Sequence, residues 1–138
     1  MLFFNEIPVR VRYAETDQMG VVHHANYPLY LEMGRTEWLR EMGLSYKELE
    51  LSGIMLPVIS MALQYKNSAY YDEVLTVKTS LKKMPTVKLE FDYKISNSDG
   101  LVLVEANTIL AFVNAATKRP IRCPEYIEEK IAAFSSKL

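Results

Sequence analysis

Cysteine is all but absent. Cys123 is the only one in 138 residues, so no intrachain disulfide can form and a reducing compartment is the expected setting. Histidine is nearly as scarce: there are two, and both fall in one loop. One cysteine and two histidines cannot make a structural zinc set. Glycine and proline number only five and six, and they are scattered, so there is no linker, repeat or low-complexity tract. Neither sign of charge is in excess. Sixteen basic and 17 acidic residues leave a net charge of -1, which gives no electrostatic reason to expect nucleic acid or an anionic membrane surface as partner. No apolar run reaches the length of a membrane span, and the amino-terminal apolar stretch is too short for a signal-peptide core. A cytoplasmic protein is expected.

What the chain does have is apolar residues, 49% of the total, enough to bury a sizeable core. The length suits a single domain over residues 1–138. Ile7, Val9, Val11 and Tyr13 alternate with Pro8, Arg10 and Arg12, which predicts a strand with one buried face. Farther on, Tyr27, Leu31, Gly34, Trp38 and Met42 recur at helical spacing. Asn26 is a candidate N-cap, Pro28 suits the first turn and Gly43 suits the stop. Glu32, Arg35, Glu37, Arg40 and Glu41 are assigned to the polar surface of this helix. Gly34 lies on the apolar stripe, where glycine costs about 1 kcal/mol relative to alanine. Close approach of another backbone is the expected reason. Residues 45–51 predict a short further helix, ended by Gly53.

After Gly53 the period becomes two. Ile59, Met61, Leu63 and Tyr65 form one alternating set; Leu75, Val77, Thr79 and Leu81 another; Val87, Leu89, Phe91, Tyr93 and Ile95 a third. Asp99-Gly100 signals a hairpin. Residues 101–114 are apolar on both faces apart from Glu105 and Asn107, which predicts a strand covered on both sides. Residues 125–138 predict a terminal helix with Tyr126, Ile127, Ile131 and Phe134 on one side. Short turns imply antiparallel pairing, and the long helix must bury its stripe. The class is therefore α+β, a curved antiparallel sheet wrapped around one long helix. A helix covers only part of such a sheet, so homo-oligomerisation is expected.

Residues 16–27, TDQMGVVHHANY, hold an acid, a glycine, two adjacent histidines and an asparagine. Adjacent histidine side chains tend to diverge, which disfavours a metal site shared with Asp17. A carboxylate reading places Asp17 near the helix start, where unpaired N–H groups carry positive potential and can polarise an acyl oxygen. Asp17 would then attack the acyl carbon or activate water, and Gly20 would let the backbone turn sharply beside the ligand. The competing reading is structural: an aspartate bonding its own turn, and a loop histidine at His24 bonding a carbonyl. Glu32 and Glu37 are rival acids, but with Arg35, Arg40 and Glu41 at neighbouring spacings a solvated helix face is the favoured reading for both.

The segment VRYAETDQMGVVHHANYPLYLEMGRTEWLRE resembles the 4-hydroxybenzoyl-CoA thioesterase family, in its YbgC-like acyl-CoA thioesterase branch. Tyr13, Thr16-Asp17, Gly20-Val21-Val22, His24, Asn26-Tyr27 and Arg35 to Leu39 carry the likeness. Weaker echoes run through residues 65–81, 96–114 and 119–125. The resemblance implies a hotdog fold, a dimer with sheets joined edge to edge or a tetramer, and sites between subunits. It implies acyl-CoA thioester hydrolysis with Asp17 as the catalytic aspartate, nucleophile or general base, and a main-chain N–H at or near His24 polarising the thioester carbonyl. Tyr13, Gly20, Val22, His23, Asn26 and Tyr27 are the expected substrate-binding residues. No metal or other cofactor is implied. The acyl carrier is coenzyme A or an acyl-carrier protein. Asn114 stands where many relatives have aspartate. Two rival functions remain: a dehydratase or isomerase using His24 with Asp17 or Glu32, and a non-enzymatic acyl-thioester binding module.

Overall fold

The computed structural model describes residues 3–135. The elements run β1 (Phe4–Arg10), α1 (Tyr27–Glu41), α2 (Tyr46–Leu51), β2 (Ile54–Met55), β3 (Val58–Tyr65), β4 (Val74–Leu81), β5 (Lys88–Ser96), β6 (Val102–Ala111), β7 (Val113–Asn114) and α3 (Glu125–Ser135). Five strands form one antiparallel sheet in the order β1-β4-β5-β6-β3, and β2 pairs with β7 beside it. The long helix packs chiefly on β1 and β4. This is the hotdog arrangement that the periodicities and the resemblance predict.

The helical stripe is buried as its spacing requires: Tyr27, Leu31, Gly34, Trp38 and Met42 all face inward. Opposite them lie Leu75, Val77, Phe91, Tyr93 and Leu110. Each large apolar side chain taken from water here contributes about 2 kcal/mol. Trp38 stacks edge-on against Phe91 at 4.9 Å, and its indole N–H donates to the Phe3 carbonyl at 3.1 Å, so its one polar atom is satisfied in the core. The Asp99-Gly100 turn joins β5 to β6, with Asn97 Oδ1 accepting from the N–H groups of Asp99 and Leu101. α2 carries Ser45 as its N-cap.

Several expectations need correction. β1 ends at Arg10; Tyr13 sits in a separate short turn, is 76% exposed and stacks edge-on against Tyr71. Val87 lies before β5 and is exposed. Arg35 is not on the polar surface. It is 4% exposed, and it donates to the hydroxyls of Tyr46 and Tyr93 at 3.3 Å each. Its position next to Gly34 turns it under the helix, where two phenols replace water. What closes on Gly34 is side chain, not backbone: a Cβ there would overlap Thr79 Oγ1 and lie 2.9 Å from Val77 Cγ1.

The alternation of β3 does not bury one face. Val58, Ile59, Met61 and Tyr65 are exposed because β3 is an edge strand, at the far side of the sheet from β1 and β4 on which α1 chiefly packs. β6, by contrast, has a mixed outer face, on which Ile109 is half-buried among polar side chains. Val104, Thr108 and Leu110 turn inward, while Glu105 pairs with Lys66 and Asn107 donates to Glu90 and Asp92 outside. The uncovered apolar surface is thus on β3 rather than β6. In α3, Ile127 and Ile131 are buried, but Tyr126 is exposed beside Ser52. Residues 136–138 of the predicted helix lie outside the described residues.

Candidate active site

Chain direction reverses between β1 and α1 in a compact loop. Thr16 and Val22 form an antiparallel bridge, with the Asp17 N–H donating to Val21 O and the His23 N–H to Glu15 O, both at 2.9 Å. Gly20 closes the apex, its φ of +80° in the left-handed region that glycine adopts without a Cβ penalty. Nothing in the described chain lies within 4 Å of where its side chain would start, so it is the positive φ that calls for glycine. The Val22 N–H donates to Ala69 O at 2.9 Å, which ties the loop to the segment after β3.

Asp17, Val22, His24 and Tyr27 line one groove of about 280 Å³, with Met19 and Val21 beside them and Tyr65, Lys66, Asn67 and Ser68 opposite. Asp17 Oδ1 accepts the Met19 N–H at 2.8 Å, the turn-forming bond of the structural reading. That bond uses one carboxylate oxygen. The other carries no hydrogen bond among the described residues.

A 3-10 turn, His24–Asn26, leads directly into α1. His23 caps it: its Nδ1 accepts the Ala25 N–H at 3.2 Å, and its carbonyl accepts the Asn26 N–H at 2.9 Å. The His24 N–H has no acceptor among the described residues, and it stands at the positively polarised end of the helix. The His24 carbonyl accepts the Tyr65 hydroxyl at 3.1 Å. Tyr27 is buried, and its oxygen accepts the Ala69 N–H at 3.4 Å; burial pushes its pKa up, which keeps the phenol neutral.

The remaining expected residues sit differently. Asn26 does not cap the helix with its side chain; Nδ2 donates to Glu15 O at 2.8 Å instead. The two histidine rings do not diverge but lie 4.3 Å apart at 34°, because His23 folds back to cap the turn. Tyr13 does not line the groove. Glu32 and Glu37 line a different hollow of about 430 Å³ between β1 and the exposed flank of α1, with Ile7, Pro8, Met33 and Thr36. Within one chain Glu32 and His24 thus line different hollows. Asn114 lines no part of the Asp17 groove; its Oδ1 accepts the Ala116 and Thr117 N–H groups, a turn-forming task that asparagine and aspartate share.

One residue of the loop escapes the periodicity argument. Glu15 is 7% exposed and accepts from the Arg12 N–H and the Tyr30 hydroxyl, each at 2.8 Å. Burial alone would raise its pKa, but the Arg12 N–H, the Tyr30 hydroxyl and the Arg12 guanidinium outweigh burial and hold it below the usual glutamate value. No capping-box signature marks it in the sequence, since Arg12 stands where a Ser or Thr cap would be. Tyr65, at the end of the edge strand, lines the groove as well.

The chain matches the family model described as the thioesterase-like superfamily over residues 11–131. It is 33% identical over 120 residues to the acyl-CoA thioester hydrolase YbgC of Escherichia coli O157:H7, covering 87% of this chain and 90% of that protein. It is 31% identical over 128 residues to the acyl-CoA thioesterase YbgC of Haemophilus influenzae, covering 92% and 91%. Among solved structures, a DHNA-CoA thioesterase from Staphylococcus aureus superposes with a TM-score of 0.88 at 33% identity, over 97% of this chain and 90% of that one. With its hotdog architecture and a match spanning most of its length, the chain belongs to the thioesterase-like superfamily.

Proposed function

We propose that the protein hydrolyses an acyl-CoA thioester to free acid and coenzyme A, with Asp17 as nucleophile or general base. One observation carries this reading: Asp17, with a free carboxylate oxygen, and His24, with an unpaired N–H, line the same groove at the head of α1. A thioester carbonyl bound there points its oxygen at the His24 N–H. As Asp17 attacks the acyl carbon, or takes a proton from a water that does, negative charge builds on that oxygen. The fixed N–H and the helix end stabilise it, a contribution worth about 3 kcal/mol for one such donor. The thiolate of coenzyme A then leaves and takes up a proton; where Asp17 is the nucleophile, water next cleaves the acyl–Asp17 anhydride, releasing the free acid and restoring the carboxylate. The carboxylate, the amide and water suffice for this chemistry, which requires no metal or redox cofactor. Val22, Tyr27 and Tyr65 supply the groove wall. The E. coli and H. influenzae relatives, an acyl-CoA thioester hydrolase and an acyl-CoA thioesterase by name, support the same reading.

The protein works as a homodimer or a tetramer in this reading. The unpaired edge of β3, with Val58, Ile59, Met61 and Tyr65 exposed, supports joining of two sheets there. No helix among the described residues is long and apolar enough to cross a membrane, and the single cysteine fits a cytoplasmic setting.

The test is thiol release from butyryl-, palmitoyl- and benzoyl-CoA, and from the matching acyl-carrier-protein thioesters, by wild type and Asp17→Asn. Expected is turnover of at least one member and its loss in a folded Asp17→Asn. Full activity in that variant removes Asp17 from the mechanism. An enoyl product without thiol, or tight binding without either, replaces hydrolysis by dehydration or by simple binding.

A further inference from the structure

We infer that Glu15 sets the register between the Asp17 loop and the head of α1, making it a positioning residue for the reaction; this rests on the thioesterase reading above. Its carboxylate reaches in two directions. Oε1 accepts the Arg12 N–H and the Tyr30 hydroxyl, each at 2.8 Å, and Oε2 accepts from Arg12 Nε at 3.2 Å. Arg12 belongs to the segment leaving β1, and Tyr30 belongs to α1. Its main-chain oxygen reaches a third way, accepting the His23 N–H at 2.9 Å and Asn26 Nδ2 at 2.8 Å.

These contacts bracket the proposed site. His23 and Asn26 flank His24, whose N–H is the proposed donor, and Asp17 follows Glu15 by two residues. The chain between them is pinned by the Thr16–Val22 bridge. One buried residue thus fixes the strand exit, the first turn of α1 and the turn carrying His24 against one another. A carboxylate is costly to bury unless its lone pairs are filled, and here three donors fill them. An apolar side chain would pack as well but would hold neither Arg12 nor Tyr30.

The role separates from bulk stability by chemistry. Glu15→Gln keeps an oxygen for the Arg12 N–H and the Tyr30 hydroxyl; Glu15→Ala keeps none. With the acyl-CoA that wild type hydrolyses fastest, Glu15→Ala should lower kcat about a hundredfold, the scale of an ångström misplacement. KM should stay within about threefold, since the groove walls are untouched. Glu15→Gln should recover kcat to within about tenfold of wild type. Amide hydrogen exchange over residues 16–24 should quicken in the alanine variant and stay near wild type in the glutamine variant. A folded Glu15→Ala with wild-type kcat and exchange overturns the role, as does a glutamine variant as slow as the alanine one. Should Glu15→Ala not fold, Tyr30→Phe removes one anchor alone and should slow kcat about tenfold with KM steady; unchanged kcat there overturns the role equally. Asp17→Asn runs alongside. Loss of turnover in Asp17→Asn with none in Glu15→Ala sinks only the Glu15 role, whereas an active Asp17→Asn sinks the catalytic reading itself.

Discussion

The Tyr65 hydroxyl donates to the His24 carbonyl across 3.1 Å, joining the end of the edge strand to the turn that opens α1. The two residues are 41 positions apart in sequence. The bond aligns the His24 peptide, and with it the groove floor, against the far wall.

Removing that hydroxyl should be felt in rate more than in stability. Tyr65→Phe should cost about 1 kcal/mol of unfolding free energy, the net worth of one such bond. It should lower kcat/KM about tenfold, as the His24 peptide loses its tether. Denaturant titration and steady-state kinetics measure the two; a stable variant with unaltered kcat/KM excludes this coupling.

The proposed oxyanion donor is a main-chain group, so side-chain truncation and N–H removal should differ. His24→Ala keeps the N–H and should keep kcat within about tenfold. His24→Pro deletes it. His23 already has φ -63° and ψ 135°, the extended backbone that a following proline requires, and the N–H lost has no acceptor. Its kcat should fall about a hundredfold or more. Equal rates in the two variants would place the donor elsewhere.

Gly34 should tolerate no side chain. Gly34→Ala forces a Cβ against Thr79 and Val77, which are fixed in the buried face of β4. The gain in helix propensity is outweighed, and the variant should lose about 1–3 kcal/mol, the usual cost of overpacking. Thermal unfolding checks this; a raised midpoint would show that β4 yields.

Acid should weaken the Glu15 anchor. Its folded pKa lies below the ordinary 4.5, so its contribution is fully present above that value and fades as pH falls through the lower folded one. The stability gap between wild type and Glu15→Gln should therefore be widest near about pH 6 and narrow towards about pH 3. A gap that does not change over that range contradicts the linkage.

The sequence by itself determined the framework. A 3.6-residue stripe from Tyr27 to Met42 can bury itself only as a helix, and the period-two sets from Leu75 to Leu81 and Leu89 to Ile95 can do so only as strands. Those local patterns fixed the class, and the run from Thr16 to Tyr27 marked the loop that lines the groove. Tertiary structure decided what periodicity cannot encode. Arg35 reads as surface charge until Tyr46 and Tyr93 fold over it from α2 and β5. The β3 alternation promises a buried face that an edge position withholds. Glu15 looks like one more loop acid, because its partners lie on α1 and in the turn at residues 23–26, and only the closed loop brings them to it. Spacing along a chain reports which face a residue takes on its own element; which distant groups meet that face is set by packing, and the proposed site is made of such meetings.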